Sequence, residues 1–144
     1  ERKEHIFNQM SPAHQEKLIA MTSQDHFSYG TVFRRMRKGQ SMAELRTDGL
    51  AGCLRTPRGG SSKQILIQAG FNDWSVRLVS PREYARLQGV RDDFLLPENP
   101  NKCFFAMGDA VCVPVIEFLT KEIITPTYKA WRNSASNKAI KSDS

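Results

Sequence analysis

The sequence predicts an α/β chain in which a small, strand- and loop-rich basic part precedes a helical part whose core is incomplete by itself. Three observations carry this. Positive charge is concentrated: residues 27–70 hold Arg34, Arg35, Arg37, Lys38, Arg46, Arg55, Arg58 and Lys63 against Glu44 and Asp48. Eight minus two equals the +6 net charge of the whole chain, so the rest is neutral. Two β-like runs, Gln64 to Ala69 and Trp74 to Val79, close the basic part. Ser80-Pro81-Arg82-Glu83 then opens a helical stretch, and residues 80–125 hold too few elements to cover a sheet on both faces.

Taken in order, Ser11-Pro12 reads as an N-cap with proline in the first helical turn. Ala13, Leu18, Ile19 and Met21 give the helix from Pro12 to about Met21 one apolar side. From Asp25 to Gly60 periodicity is poor and glycines recur. This predicts turns and short strands, with one helical turn near Ser41 to Leu45. Gly70-Phe71-Asn72-Asp73 is a hairpin connection. In Ser80-Pro81-Arg82-Glu83 the serine hydroxyl can accept from the N3 amide while Glu83 reaches back, and the helix is expected to stop at Gly89. Pro97 to Lys102 reads as a loop, and Cys103 to Met107 as a short strand or the approach to a turn at Gly108-Asp109. Val113, Ile116 and Leu119 predict a mostly buried helix to about Ile124, with Pro114 in its first turn because deeper placement costs a hydrogen bond. After Thr127 the chain is polar and reads as a loose tail.

The stretch CLRTPRGGSSKQ, Cys53 to Gln64, gathers three cations, a glycine pair and hydroxyls without an acid. Arginine can donate two bonds to phosphate or to a guanine edge, and glycines let a backbone approach closely. Arg34, Arg35 and Lys38 suit phosphate contact. Arg55 and Arg58 suit contacts nearer the bases. Thr56, Gly59, Gly60, Ser61, Lys63 and Gln64 complete the surface expected to meet a phosphate-bearing partner, which the motifs downstream make DNA. As a solvated turn the stretch is unexceptional, and that reading stays open beside the first. Cys53, Cys103 and Cys112 lack paired spacing and the three histidines are scattered, so neither a disulfide framework nor a metal site is expected. No run approaches membrane-spanning length and no leader stands at the start, which predicts a cytoplasmic, DNA-associated protein without a membrane partner.

Ser80-Pro81-Arg82-Glu83-Tyr84-Ala85-Arg86-Leu87-Gln88-Gly89-Val90, followed by Asp93-Phe94, resembles a late motif of the DNA (cytosine-5) methyltransferase family. Gly108-Asp109-Ala110-Val111 with Val113-Pro114-Val115 is similar to that family's last motif, in which asparagine usually stands where Asp109 does. The resemblance covers roughly residues 25–125 and implies the C-terminal part of a Rossmann-like methyltransferase. On that reading residues 1–26 are a helical lead-in and 27–79 a basic target recognition region. Residues 80–125 would be C-terminal helices of the catalytic domain, and 126–144 a polar tail. The resemblance further implies methyl transfer from S-adenosylmethionine to C5 of a flipped cytosine. Asp109, Ala110 and Val111 would stand at the cofactor, and Arg86 would have an interdomain or DNA-backbone role.

The family's Pro-Cys nucleophile, Glu-Asn-Val stretch and glycine-rich cofactor loop are not found in the sequence: Cys53 follows Gly, Cys103 follows Lys and Cys112 follows Val. No catalytic residue is therefore expected. The chain is expected to be inactive alone and to need a missing N-terminal catalytic portion, in cis or as a separate subunit, besides double-stranded DNA. The alternatives are a stand-alone sequence-specific DNA-binding module, the non-catalytic small subunit of a split methyltransferase, and a remnant with structural function only.

Overall fold

A computed structural model describes residues 1–56 and 63–142, and side chains as far as Ser134. Two helices lead: α1 (Arg2–Asn8) and α2 (Pro12–Thr22). The strands β1 (Ser28–Arg37), β2 (Gln40–Arg46), β3 (Ile65–Gly70) and β4 (Asp73–Leu78) then form one antiparallel sheet in the order β2-β1-β3-β4. The helices α3 (Pro81–Leu87), α4 (Pro100–Asp109) and α5 (Val113–Leu119) follow. A π-helical turn (Thr120–Ile124) leads from α5 into α6 (Thr125–Ser142).

Two tight turns dictate this sheet. Lys38 and Gly39 lie at φ 49° and 76°, and Phe71 and Asn72 at 54° and 61°. Positive φ at both central residues of a two-residue loop matches the right-handed strand twist and joins only antiparallel neighbours. Among the described residues every pair of named strands is antiparallel. The helical turn expected near Ser41 to Leu45 is β2 instead. Ala43 and Leu45 alternate into the core, and the Lys38-Gly39 turn folds the chain back onto β1.

Helices α1 and α2 cover one face of the sheet. Ile6, Met10, Leu18 and Met21 meet Val32, Leu45, Ile65 and Ile67 there. A second cluster joins α3 to α4 through Val79, Tyr84, Ala85, Cys103, Phe104 and Met107, with Leu54 and Leu66 packed against it. The expected incomplete core is corrected here, because helices within the chain close both clusters. Residues beyond α4 behave differently: Val115, Phe118 and Ile123 are exposed.

The capping box forms as expected. Glu83 N donates to Ser80 Oγ (3.3 Å), Ser80 N donates to Glu83 Oε2 (2.8 Å), and the helix ends before Gly89 at φ 77°. The stretch from Cys103 to Met107 is helix, not strand. Asn99 Oδ1 accepts from Asn101 N (2.9 Å), Pro100 occupies the first turn, and Cys103, Phe104 and Met107 share a buried face. The tail expected to be loose continues as α6. By length and apolar composition alone the run Pro100–Ser134 meets the measure of a membrane span, but extended backbone at Ala110 and Cys112 breaks it between α4 and α5.

Candidate nucleic-acid interface

Strand β1 outruns its neighbour. Its last pair with β3 is Val32 with Ile65, whereas its pairing with β2 continues to Arg37. Phe33 to Arg37 thus belong to an arm bonded on one side only. The chain leaving β2 is pinned just before that arm, beside the doubly paired part of β1, by Thr31 Oγ1, which donates to Leu50 O (2.8 Å). Gln64 closes the base of the long β2–β3 connection: its Oε1 accepts from Gly52 N (3.1 Å) and its Nε2 donates to Cys53 O (3.2 Å).

Between arm and connection lies a cleft of about 330 Å³. Arg34, Arg35, Arg46 and Arg55 line it together with Phe33, Cys53 and Gln64. Consecutive strand residues point to opposite faces, so Arg34 and Arg35 reach the cleft from different sides of β1. Arg34 shares the face of buried Val32, while the Arg35 guanidinium lies 4.9 Å from the Phe33 ring centre. Arg34 and Arg55 stand 21 positions apart in the sequence, yet four arginines line one cleft.

Their neutralisation is unequal. Arg46 donates to both carboxylate oxygens of Asp48 (3.1 and 2.6 Å), which holds that carboxyl below the usual range. Glu44 accepts from Arg37 (3.1 Å) and stands 3.8 Å from Arg35. Arg55 is exposed, and among the described residues its side chain has no acid within ion-pair distance. The cleft is therefore a concave, positively charged site in which arginine forks can hold phosphate oxygens.

The segment bearing Arg55 is gripped from the other side by both motifs. The Tyr84 hydroxyl accepts from Arg55 N (3.0 Å) and donates to Arg55 O (3.1 Å). Burial pushes the Tyr84 phenol up, so it keeps its proton. Thr56 Oγ1 donates to Asp109 Oδ1. Gly108 lies against this backbone: a Cβ there would stand 2.5 Å from Arg55 C and 2.6 Å from Thr56 Cα. The motifs also lock to each other. Gln88 Nε2 donates to Met107 O (2.7 Å) and Ala110 O (3.3 Å), and Val113 N donates to Gln88 O (2.9 Å).

Of the residues singled out in the sequence, Arg34, Arg35, Arg55 and Gln64 come together at the cleft. The Gln64 amide is engaged with Gly52 and Cys53. Lys38 is at the hairpin tip. Lys63 donates to Asn101 Oδ1 (2.9 Å) and lies over the Phe104 ring. Arg86 is bonded at both ends of its fork to Asp92 (2.7 and 3.0 Å). Arg58, Gly59, Gly60 and Ser61 lie outside the described residues. Arg46 and Phe33 were missed. Strand alternation would have placed Phe33 beside Arg35, but Arg46 enters only through its pairing opposite Thr31.

Asp109, Ala110 and Val111 stand apart from the arginine cleft. The Asp109 carboxylate accepts from Thr56, the Ala110 amide donates to Ala106 O, and Val111 is exposed. Among the described residues no three His, Cys, Asp or Glu side chains could hold a metal.

The family described as C-5 cytosine-specific DNA methylase matches residues 2–125. The chain is 36% identical over 64 residues to the Type II methyltransferase M.SsoII of Shigella sonnei, covering 44% of the chain and 16% of that protein. It is 27% identical over 90 residues to M.HpaII of Haemophilus parainfluenzae, covering 54% and 25%. It is 43% identical over 47 residues to M.BanI of Aneurinibacillus aneurinilyticus, covering 33% and 11%. The matched stretches thus span a quarter or less of these relatives. No solved structure matches the chain. The match from residue 2 overturns the reading of an inactive C-terminal part, related only over roughly residues 25–125 and waiting on a missing N-terminal catalytic portion. It includes α1 and α2, whose side chains complete the first core.

Proposed function

Since the chain belongs to the C-5 cytosine-specific DNA methylase family, we propose that its arginine cleft grips the phosphate backbone of double-stranded DNA during cytosine methylation. The family is one of cytosine-specific DNA methyltransferases, met in restriction–modification systems, that use S-adenosylmethionine. When bound, that cofactor supplies the methyl group. The observation that carries the proposal is the convergence of Arg34, Arg35, Arg46 and Arg55 on one concavity. Phosphate contacts set register and orientation on a duplex, and each neutralised phosphate releases counterions. Arg55, with no acid beside it among the described residues, is the contact expected to contribute most.

The test is anisotropy titration of the full chain against a mixed-sequence duplex over a salt series. Four contacts at about 0.9 each predict a log–log slope of roughly −3 to −4. Arg35→Ala and Arg55→Ala should each make it shallower by about one. Binding that ignores salt, or that both variants leave untouched, would remove the cleft from the interface.

A further inference from the structure

We propose that Tyr84 and Asp109 are positioning residues that fix the backbone of Arg55 and Thr56 and thereby aim the Arg55 guanidinium into the cleft. The inference rests on the reading of that cleft as a phosphate-binding site. Leu54, Arg55 and Thr56 alternate in direction. Leu54 packs toward the second core, Thr56 turns its hydroxyl to Asp109, and the Arg55 side chain between them points away toward the cleft. An irregular connection would normally leave such a residue free to wander, since its backbone has no strand partner.

Here the backbone partner is a side chain. The Tyr84 hydroxyl satisfies both the amide and the carbonyl of Arg55, as a neighbouring strand would. Tyr84 is itself 1% exposed, its ring edge-on to Phe104 at 5.2 Å, so its hydroxyl cannot follow a moving loop. Gly108 leaves room for this close approach. A tyrosine serving only the core would need one hydrogen-bond partner for its hydroxyl. Two bonds to a single residue, whose cation has no acid beside it among the described residues, are what positioning requires.

The experiment compares wild type, Tyr84→Phe, Thr56→Val, Thr56→Ser and Arg55→Ala in full-length chain, with a mixed-sequence duplex as probe. Tyr84→Phe keeps the ring and removes both bonds. It should weaken binding about 3- to 10-fold at low salt and make the salt slope shallower by about one. The Tyr84→Phe, Arg55→Ala double variant should bind no more weakly than Arg55→Ala alone, because Tyr84 acts through Arg55. Thr56→Val should lose affinity and Thr56→Ser should restore it. Additive losses, or an unchanged slope in Tyr84→Phe, overturn the proposal. Hydrogen exchange at the Arg55 amide separates it from the cleft reading. If wild type fails to bind duplex, the cleft reading falls alone, and equal Arg55 protection in wild type and Tyr84→Phe would then overturn the positioning role too.

Discussion

Replacing Gly108 with alanine sets two physical expectations against each other. Gly108 lies in the last turn of α4, where helix propensity alone favours alanine by up to about 1 kcal/mol. The added Cβ, however, would stand 2.5 Å from Arg55 C, 2.6 Å from Thr56 Cα and closer still to Thr56 N. Carbon atoms pack comfortably at about 3.5–4.0 Å, so the backbone at 55–56 would have to retreat by roughly 1 Å. That retreat would stretch both bonds between Tyr84 and Arg55, now 3.0 and 3.1 Å, beyond useful length. Losing them costs about 0.5–1.5 kcal/mol each, and overpacking adds about 1–3 kcal/mol. Net of the propensity gain, Gly108→Ala should destabilise by about 2–4 kcal/mol. Urea unfolding of the full chain measures it, with a midpoint about 1–2 M lower at the slope usual for small domains. Ala106→Gly, on an exposed position of α4, is the control and should lose only about 1 kcal/mol. A Gly108→Ala variant as stable as wild type would refute the close approach, and with it the grip of both motifs on the connection.

Glu83 gives a pH signature. Its two bonds from Arg77 and its bond from Ser80 hold its carboxyl down from 4.5 to about 2. A depressed folded value adds stability that is fully present above the unfolded value near 4.5 and is lost as pH falls toward 2. Discounted for the pair's exposure, this is about 1–2 kcal/mol, and Glu83→Gln should flatten the acid limb of a stability–pH curve. Gln88→Met should cost about 1–3 kcal/mol in thermal or urea unfolding, because it leaves the carbonyls of Met107 and Ala110 without their donor. Glu44→Gln should raise affinity for a duplex about 2- to 5-fold at low salt, the gain vanishing at high salt. It removes a negative charge 3.1 and 3.8 Å from Arg37 and Arg35.

Local chemistry was legible in advance wherever one short stretch decides it. Ser80 and Glu83 cap a helix because the two side chains reach each other's backbone within one turn, and the helix stops at Gly89 because φ 77° suits a residue without Cβ. The strands β3 and β4 appeared within a residue of their expected bounds. Helix α4 was misread, although Asn99-Pro100 carries a start signal, because a short apolar run suits strand and helix alike. Helices α1 and α2 closing the first core could not be read from 80–125, and this is where the expectation of an incomplete core failed.

Taken alone, the sequence determined where the charge stands, which segments turn, and which family the two motifs resemble, since each is a property of neighbouring residues. Tertiary structure alone decided which cations share a site. Arg34 and Arg35 part to opposite sides of β1, Arg86 is bonded to Asp92, and Arg46, at the end of β2, joins the cleft instead. The reason is register. Pairing of β1 with β3 ends at Val32, the arm beyond it stays open, and a tyrosine from a distant helix sets where Arg55 meets that opening. No window of sequence contains both sides of such a contact.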